Sequence, residues 1–192
     1  GLPIDKLIVA TNQNDILHRA ISNGSYEIDK VFETISPSMD IQIASNFERL
    51  IYDLNNCDDI ETRNIMIGIK EKGKYSISLE KLKKIKKDFL SASISESEVL
   101  NIIQDIYKKH KIILDPHSAI GFGALEKVKS ENNNIVLATA HPCKFPDAIE
   151  KSINIKPSLP TELKYVLDEK ENYDIISNNL EDVKQYIKNR IK

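Results

Sequence analysis

The stretch Ile135-Val-Leu-Ala-Thr-Ala-His-Pro-Cys-Lys-Phe145 constrains this chain more than any other. Its four apolar residues, Ile135 to Ala138, predict a short strand buried in a sheet. Small polar groups, Thr139 and His141, follow at its carboxyl end, where ligands of open α/β sheets sit. His141 precedes Pro142, so its backbone is expected to be extended, and Pro146-Asp147 opens a new helix. The same punctuation also occurs in ordinary loops with no chemistry attached, so the reading depends on what else the chain contains.

Leu7-Ile-Val-Ala-Thr11 is nearly continuous in apolar residues, the pattern of a strand buried on both faces of a parallel sheet. Asn12-Gln-Asn-Asp15 follows at its end, and a helix from about Asp15 to Ser22 is expected to stop at Asn23-Gly24. Thr34-Ile-Ser-Pro-Ser-Met-Asp40 has turn chemistry around Pro37 and predicts an exposed loop. Ser45-Asn-Phe-Glu48 has capping-box spacing ahead of a stripe made by Phe47, Leu50, Ile51 and Leu54. Helices are predicted from Ile60 to about Lys72 and from Leu79 to Phe89, then a short strand at Leu90 to Ile94. A further helix, capped by Ser95-Glu-Ser-Glu98, buries Val99, Ile103, Ile106 and Tyr107, and ends in Lys108-Lys-His-Lys111, whose charge suits the helix dipole. Ile112-Ile-Leu114 predicts a three-residue strand before a helix from about Ala119, and Leu180 to Ile191 a last amphipathic helix. Alternation of strand and helix predicts an α/β fold with a mainly parallel sheet and flanking helices.

The balance of residues excludes several classes. With 41% hydrophobic and 29% charged residues over 192, the composition is that of a soluble domain with a substantial core. No apolar run approaches the roughly 18 residues of a spanning helix, so no membrane partner is expected and a cytoplasmic location is the default. A net charge of −2 argues against nucleic-acid binding. The basic run Lys81-Leu-Lys-Lys-Ile-Lys-Lys87 is the solvated face of a core-packed helix, because Leu79, Leu82, Ile85 and Phe89 fall at helical spacing on the other side. Cys57 and Cys143 have no metal-ligand or redox spacing, and His141-Pro-Cys143 lacks partners for a metal.

Four segments in order carry a resemblance: Gly1-Leu-Pro-Ile with Ala10-Thr-Asn-Gln-Asn-Asp15, Ser36-Pro-Ser-Met-Asp40, Asp115-Pro-His-Ser-Ala119, and Thr139-Ala-His-Pro-Cys-Lys-Phe145. Together they resemble threonine synthase, and Leu159-Pro-Thr-Glu-Leu163 is also similar to that family. The family's run has Ala where this chain has Cys143, a small residue that fits. The resemblance implies pyridoxal phosphate as cofactor, a fold type II (tryptophan-synthase-β-like) architecture, and conversion of O-phosphohomoserine and water to threonine and phosphate, the cofactor acting as electron sink.

On the family's pattern, the Thr matching Thr139 hydrogen-bonds the pyridine nitrogen of the cofactor. Asn12, Asn14 and Asp15 beyond the first strand, and Ser38 and Asp40 in the Pro37 loop, are candidates for holding the substrate's amino-acid or phosphate groups. Loop and capping chemistry is the alternative role for such residues. His117 and His141 are candidate phosphate ligands or proton carriers at the site mouth, with a structural role as the alternative.

The family's Schiff-base lysine lies in a Ser-Phe-Lys-Asp context, and no lysine here has that setting; Lys144 belongs to another motif. The Gly-rich loop for the cofactor phosphate is absent as well, since the glycines are Gly1, Gly24, Gly68, Gly73, Gly121 and Gly123. The chain is therefore expected to be a C-terminal portion, without a catalytic residue of its own, whose partner is the N-terminal part of the same enzyme. Within it, residues 1–35 are expected to end a sheet domain and 36–110 to form a helix-rich insertion. Residues 111–156 then return to the sheet with cofactor-facing loops, and 157–192 form a polar helical tail. Two alternatives stay open: a non-catalytic ligand-binding or interaction module derived from such an enzyme, and a portion of another pyridoxal-phosphate-dependent β-elimination or β-replacement enzyme.

Overall fold

The computed structural model describes residues 3–130 and 133–191. Strand β1 (Leu7–Thr11) pairs in parallel with β4 (Phe89–Ser93), Leu7 opposite Phe89 and Thr11 opposite Ser93. The connection between them holds helix α1 (Ile16–Asn23), strand β2 (Ser25–Glu27), helices α2 (Phe47–Leu54) and α3 (Asp59–Lys72), strand β3 (Lys74–Ser76) and helix α4 (Leu79–Asp88). β2 and β3 pair antiparallel, Tyr26 opposite Tyr75. Helices α5 (Glu96–His110), α6 (Pro116–Val128) and α7 (Pro146–Ile153) follow β4. The expected α/β class with flanking helices is what the chain forms, but the expected mainly parallel sheet is one parallel and one antiparallel pair of strands among the described residues. The parallel pair includes residues 89–93, from within the stretch expected to be a helix-rich insertion.

The parallel pair divides the core in two, although β1 is less buried than its apolar sequence predicts, Leu7 exposed and Val9 and its neighbours half-buried. Val9 and Phe89 pack with Ile16, Ala20, Tyr26, Phe47, Ile51 and Ile85. Ile8, Ala10 and Ala92 pack on the other side with Ile94, Val99, Ile103, Ile120 and Ile149. Tyr26 closes the first half: its ring stacks on Phe47 at 4.9 Å, and its hydroxyl accepts from the Ala44 amide at 2.9 Å. Burial pushes the Tyr26 phenol above its ordinary pKa, against the opposing pull of that amide.

Local signals hold where the partners are local. Gly24, at φ +83°, ends α1 in the left-handed conformation that glycine adopts without strain. Ser95 and Glu98 form a complete capping box at the start of α5. At α2 the expected box does not form; Asn46 stands at the cap with no side-chain hydrogen bond, although the helix itself begins at Phe47. Helix α6 starts three residues earlier than expected, because Asp115 caps it and Pro116 occupies the first turn, where a missing N–H costs nothing.

Two expected strands are not strands. Residues 112–114 and 135–138 have no ladder partner among the described residues, and a strand needs a neighbour to hold its N–H and C=O groups. Ile135 is 91% exposed and Leu137 74%, while Val136 turns inward against Gly121. The loop expected to be exposed at 34–40 is also different: Pro37–Met39 form a 3-10 turn and Ser36 is buried.

Residues 159–192 form a separate compact unit. It contains a 3-10 segment (Thr161–Leu167) and helix α8 (Leu180–Arg190), neither with a buried residue. Asp174 accepts hydrogen bonds from Tyr186 and Arg190, which hold its carboxyl below the ordinary range. No described helix is long and apolar enough to cross a membrane.

Candidate functional site

The carboxyl ends of β1 and β4 lie side by side, tied by the Ser93 hydroxyl donating to the Asn12 carbonyl at 2.9 Å and the Ile94 amide to the Thr11 carbonyl at 2.9 Å. Beyond them a chain of hydrogen bonds joins segments far apart in sequence. Asn12, 2% exposed, donates through Nδ2 to Thr34 Oγ1 at 2.9 Å, Ser36 Oγ at 3.0 Å and Asp40 Oδ1 at 2.6 Å, and its Oδ1 accepts from the Asn14 amide at 2.8 Å. Asn14, equally buried, donates to Asp40 Oδ1 at 3.0 Å and to the Phe32 carbonyl at 2.8 Å, while its Oδ1 accepts from the Phe32 amide at 2.8 Å. Asp40 accepts in addition from the Thr34 amide at 2.8 Å and the Thr34 hydroxyl at 2.7 Å. Loop 34–40 is thus wrapped on the strand end by buried amide side chains, as buried polar groups require.

The loop continues the path. The Ser38 amide donates to His117 Nε2 at 3.3 Å. The His117 ring, 6% exposed, lies 4.7 Å from that of Phe145, and its Nδ1 stands 3.2 Å from Asp115 Oδ1. Asp115 also accepts from the His117 amide at 2.9 Å, the Ser118 amide at 3.3 Å and the Ser118 hydroxyl. The Ser118 hydroxyl oxygen in turn accepts from the Thr139 amide at 3.1 Å.

The structure therefore brings Asn12, Asn14, Ser38, Asp40, His117 and Thr139 into one network. Asp15 stands apart, paired with Arg19 at 2.8 Å one turn into α1. His141 is exposed and extended, as expected ahead of Pro142, and its Nδ1 accepts from the Cys143 amide at 3.2 Å. Asn12 and Asn14 have both side-chain atoms engaged within the protein. The Thr139 and Ser38 hydroxyls and His141 Nε2 are exposed and have no hydrogen-bond partner among the described residues. Thr34, Ser36, Asp115 and Ser118 were not among the sequence candidates. Asp115 had a signal, Asp directly before Pro at a helix start, whereas the other three take their role from a fold-back that local sequence does not encode.

A further hollow lies elsewhere. About 540 Å³ in volume, it sits between α5 and α6 and is lined by Glu98, Asn101, Asp105, Lys109, Glu126 and Lys127, charges of both signs with no preference for one ligand. Among the described residues no three His, Cys, Asp or Glu side chains gather as a metal site needs.

Comparison with known proteins falls on one family. Residues 118–187 match the model of the threonine synthase C-terminal domain. Threonine synthase of Pseudomonas aeruginosa is 37% identical over 190 residues, 97% of this chain and 40% of that protein. That of Saccharomyces cerevisiae is 41% identical over 191 residues, 85% of this chain and 37% of that protein. Threonine synthase-like 1 of Homo sapiens is 33% identical over 159 residues, 81% of this chain and 21% of its own length. Among solved structures, pyridoxal-phosphate-bound threonine synthase from Brucella melitensis superposes with a TM-score of 0.86 at 40% identity, covering 98% of this chain and 41% of that one. The yeast enzyme gives 0.82 at 38% identity, covering 98% and 42%. The chain spans about two fifths of the length of the threonine synthases it matches and less of the longer human relative.

Proposed function

We propose that this chain, which corresponds in sequence and fold to the C-terminal portion of threonine synthases, is part of an enzyme converting O-phospho-L-homoserine and water to L-threonine and phosphate. Its cofactor is pyridoxal phosphate, which when bound withdraws electrons from the substrate's α and β carbons. The residues present fit that group at one position. Thr139 has its backbone fixed by Ser118 and its hydroxyl free, the donor set a pyridine nitrogen needs from a neutral partner.

Ser38 and His141 offer a hydroxyl and a ring nitrogen to the substrate's phosphate or carboxylate. Asn12, Asn14 and Asp40 shape loop 34–40, His117 holds Ser38 in place, and Asp15 lies at the edge of this arrangement. Residues 111–156 carry the cofactor-facing loops, and 157–192 a tail apart from them. A fold type II architecture and a cytoplasmic location complete the reading; the two free thiols, Cys57 and Cys143, suit a reducing compartment. The observation that carries it is that hydrogen bonds tie loop 34–40 both to Asn12 at the carboxyl end of β1 and, through His117, Asp115 and Ser118, to Thr139, beside strand ends where ligands of such sheets bind.

The test is an assay of the intact protein on O-phosphohomoserine and, separately, on serine. Release of phosphate with formation of threonine is the expected result. Turnover of serine alone would identify another β-replacement enzyme, and turnover of neither a ligand-binding module. The 192 residues alone are expected neither to trap the cofactor as a borohydride-stable lysine adduct nor to make threonine.

A further inference from the structure

We propose that Asp115 is a positioning residue whose two carboxylate oxygens separately fix Ser38 and Thr139, so that the two sides of the site keep one spacing. The proposal rests on the reading that Ser38 and Thr139 face the ligand.

Asp115 is 1% exposed, and each oxygen serves a different arm. Oδ1 faces His117 Nδ1 at 3.2 Å and the amides of His117 and Ser118 at 2.9 and 3.3 Å. A carboxylate oxygen surrounded in this way is an acceptor, so the imidazole proton sits on Nδ1. Nε2 of the neutral ring is then a lone pair, which accepts from the Ser38 N–H at 3.3 Å; a ring protonated on Nε2 offers no acceptor there. Asp115 thereby selects the tautomer that holds loop 34–40.

The second arm uses the same logic. Oδ2 accepts the Ser118 hydroxyl proton, which leaves the hydroxyl oxygen's lone pairs to accept from the Thr139 N–H at 3.1 Å. Residues 135–138 have no strand partner among the described residues, so the Ser118 bond fixes the backbone at Thr139 where a ladder would otherwise do so. A helix cap alone would need only one oxygen turned to the α6 amides. Here both are used, and each leads outward to a different segment.

The experiment is amide hydrogen exchange on the intact protein, following the peptides that contain Ser38 and Thr139, with kcat and KM for O-phosphohomoserine measured alongside. Asp115→Ser keeps a cap oxygen for α6 but cannot serve both arms. It is expected to raise exchange at both segments about tenfold, the size of one lost hydrogen bond's protection. Ser118→Ala is expected to release Thr139 and leave Ser38 protected; His117→Phe is expected to do the reverse. These single-arm variants carry the test if Asp115→Ser folds poorly. The proposal is overturned if Asp115→Ser leaves both segments protected, or if each single-arm variant loosens both alike, which is general destabilisation. If exchange follows the branched pattern while kcat and KM for O-phosphohomoserine stay at wild-type values, the positioning by Asp115 stands and the reading that Ser38 and Thr139 face the ligand falls.

Discussion

At the scale of single residues, the buried polar groups divide into those that build and those left over. Asn12 and Asn14 end β1 with every side-chain atom engaged, and unpaired they would each cost a buried amide's desolvation, about 1 to 3 kcal/mol. Their work is to hold loop 34–40. Thr139 is the opposite case, held by its backbone with its hydroxyl free. Thr139→Val removes that hydroxyl at nearly constant shape, so the intact enzyme is expected to keep its melting temperature while its cofactor absorption spectrum shifts and turnover falls at least tenfold. An unchanged spectrum and rate would mean that the side chain does not meet the cofactor. Glu98 gives a residue-scale effect of pH. The Lys127 ammonium at 2.8 Å and then the Ser95 amide and hydroxyl bring its pKa from 4.5 down to about 2. A carboxylate depressed in the folded state contributes stability that is full above its unfolded value and is lost as pH falls from about 4.5 to about 2. Because the pair is substantially exposed, its charge is worth about 0.5 kcal/mol near neutrality. Glu98→Gln keeps the capping geometry and loses the charge, so thermal melts of wild type and variant are expected to differ slightly near neutrality and to converge across that acid range.

At the scale of elements, two glycines on one helix separate packing from tethering. A Cβ on Gly123 of α6 would stand 2.6 Å from Ile102 Cδ1 and 3.1 Å from Ile94 Cδ1, and Ile94 is fully buried with no room to retreat. Overpacking costs about 1 to 3 kcal/mol and the helix propensity of alanine returns about 1, so Gly123→Ala is expected to lower stability by about 1 kcal/mol in denaturant melts. On Gly121 the same atom meets only Val136 Cγ1, at 2.8 Å, on a segment with no ladder. Gly121→Ala is expected to leave the melt unchanged and instead to speed amide exchange around 136–139. The same contrast explains how much of the fold was legible. The Ser95 box, the Gly24 stop and helices α3 and α4 are written within a turn or two of sequence, and they form where expected. β2 and β3 are three residues each, too short to show a period, and exist because tertiary packing brings Tyr26 opposite Tyr75. Ile135 to Ala138 has the composition of a buried strand, but composition does not provide a neighbour. Of the site, the strand-end position of Asn12 was readable; Thr139 was expected at the end of a strand, and it is instead held by Ser118 in a segment with no ladder among the described residues. The saturation of Asn12 by Ser36 and Thr34 depends on a loop folding back, and no local pattern records it.

At the scale of the whole molecule, exposed apolar side chains matter most where they sit on backbone without a ladder. Ile135 and Leu137 expose their side chains almost fully on either side of Val136, which packs against α6, and the backbone between them has no ladder. Two large apolar side chains beside backbone that has no ladder partner among the described residues form the kind of edge that captures another strand. The core does not depend on this edge, because its two halves close around Tyr26 and Ile51 on one side and Ile103 and Ile120 on the other. Expressed alone, the 192-residue chain is therefore expected to fold cooperatively and to associate with itself as concentration rises. Ile135→Lys with Leu137→Lys places charges on that edge without touching either half of the core, so the melting temperature is expected to change by no more than about 2 °C while light scattering reports a monomer at the same concentration. The paired change tests where association begins: if the double variant still associates to the wild-type extent, the contact lies on another surface, and the unpaired run at 135–138 is not what draws copies together.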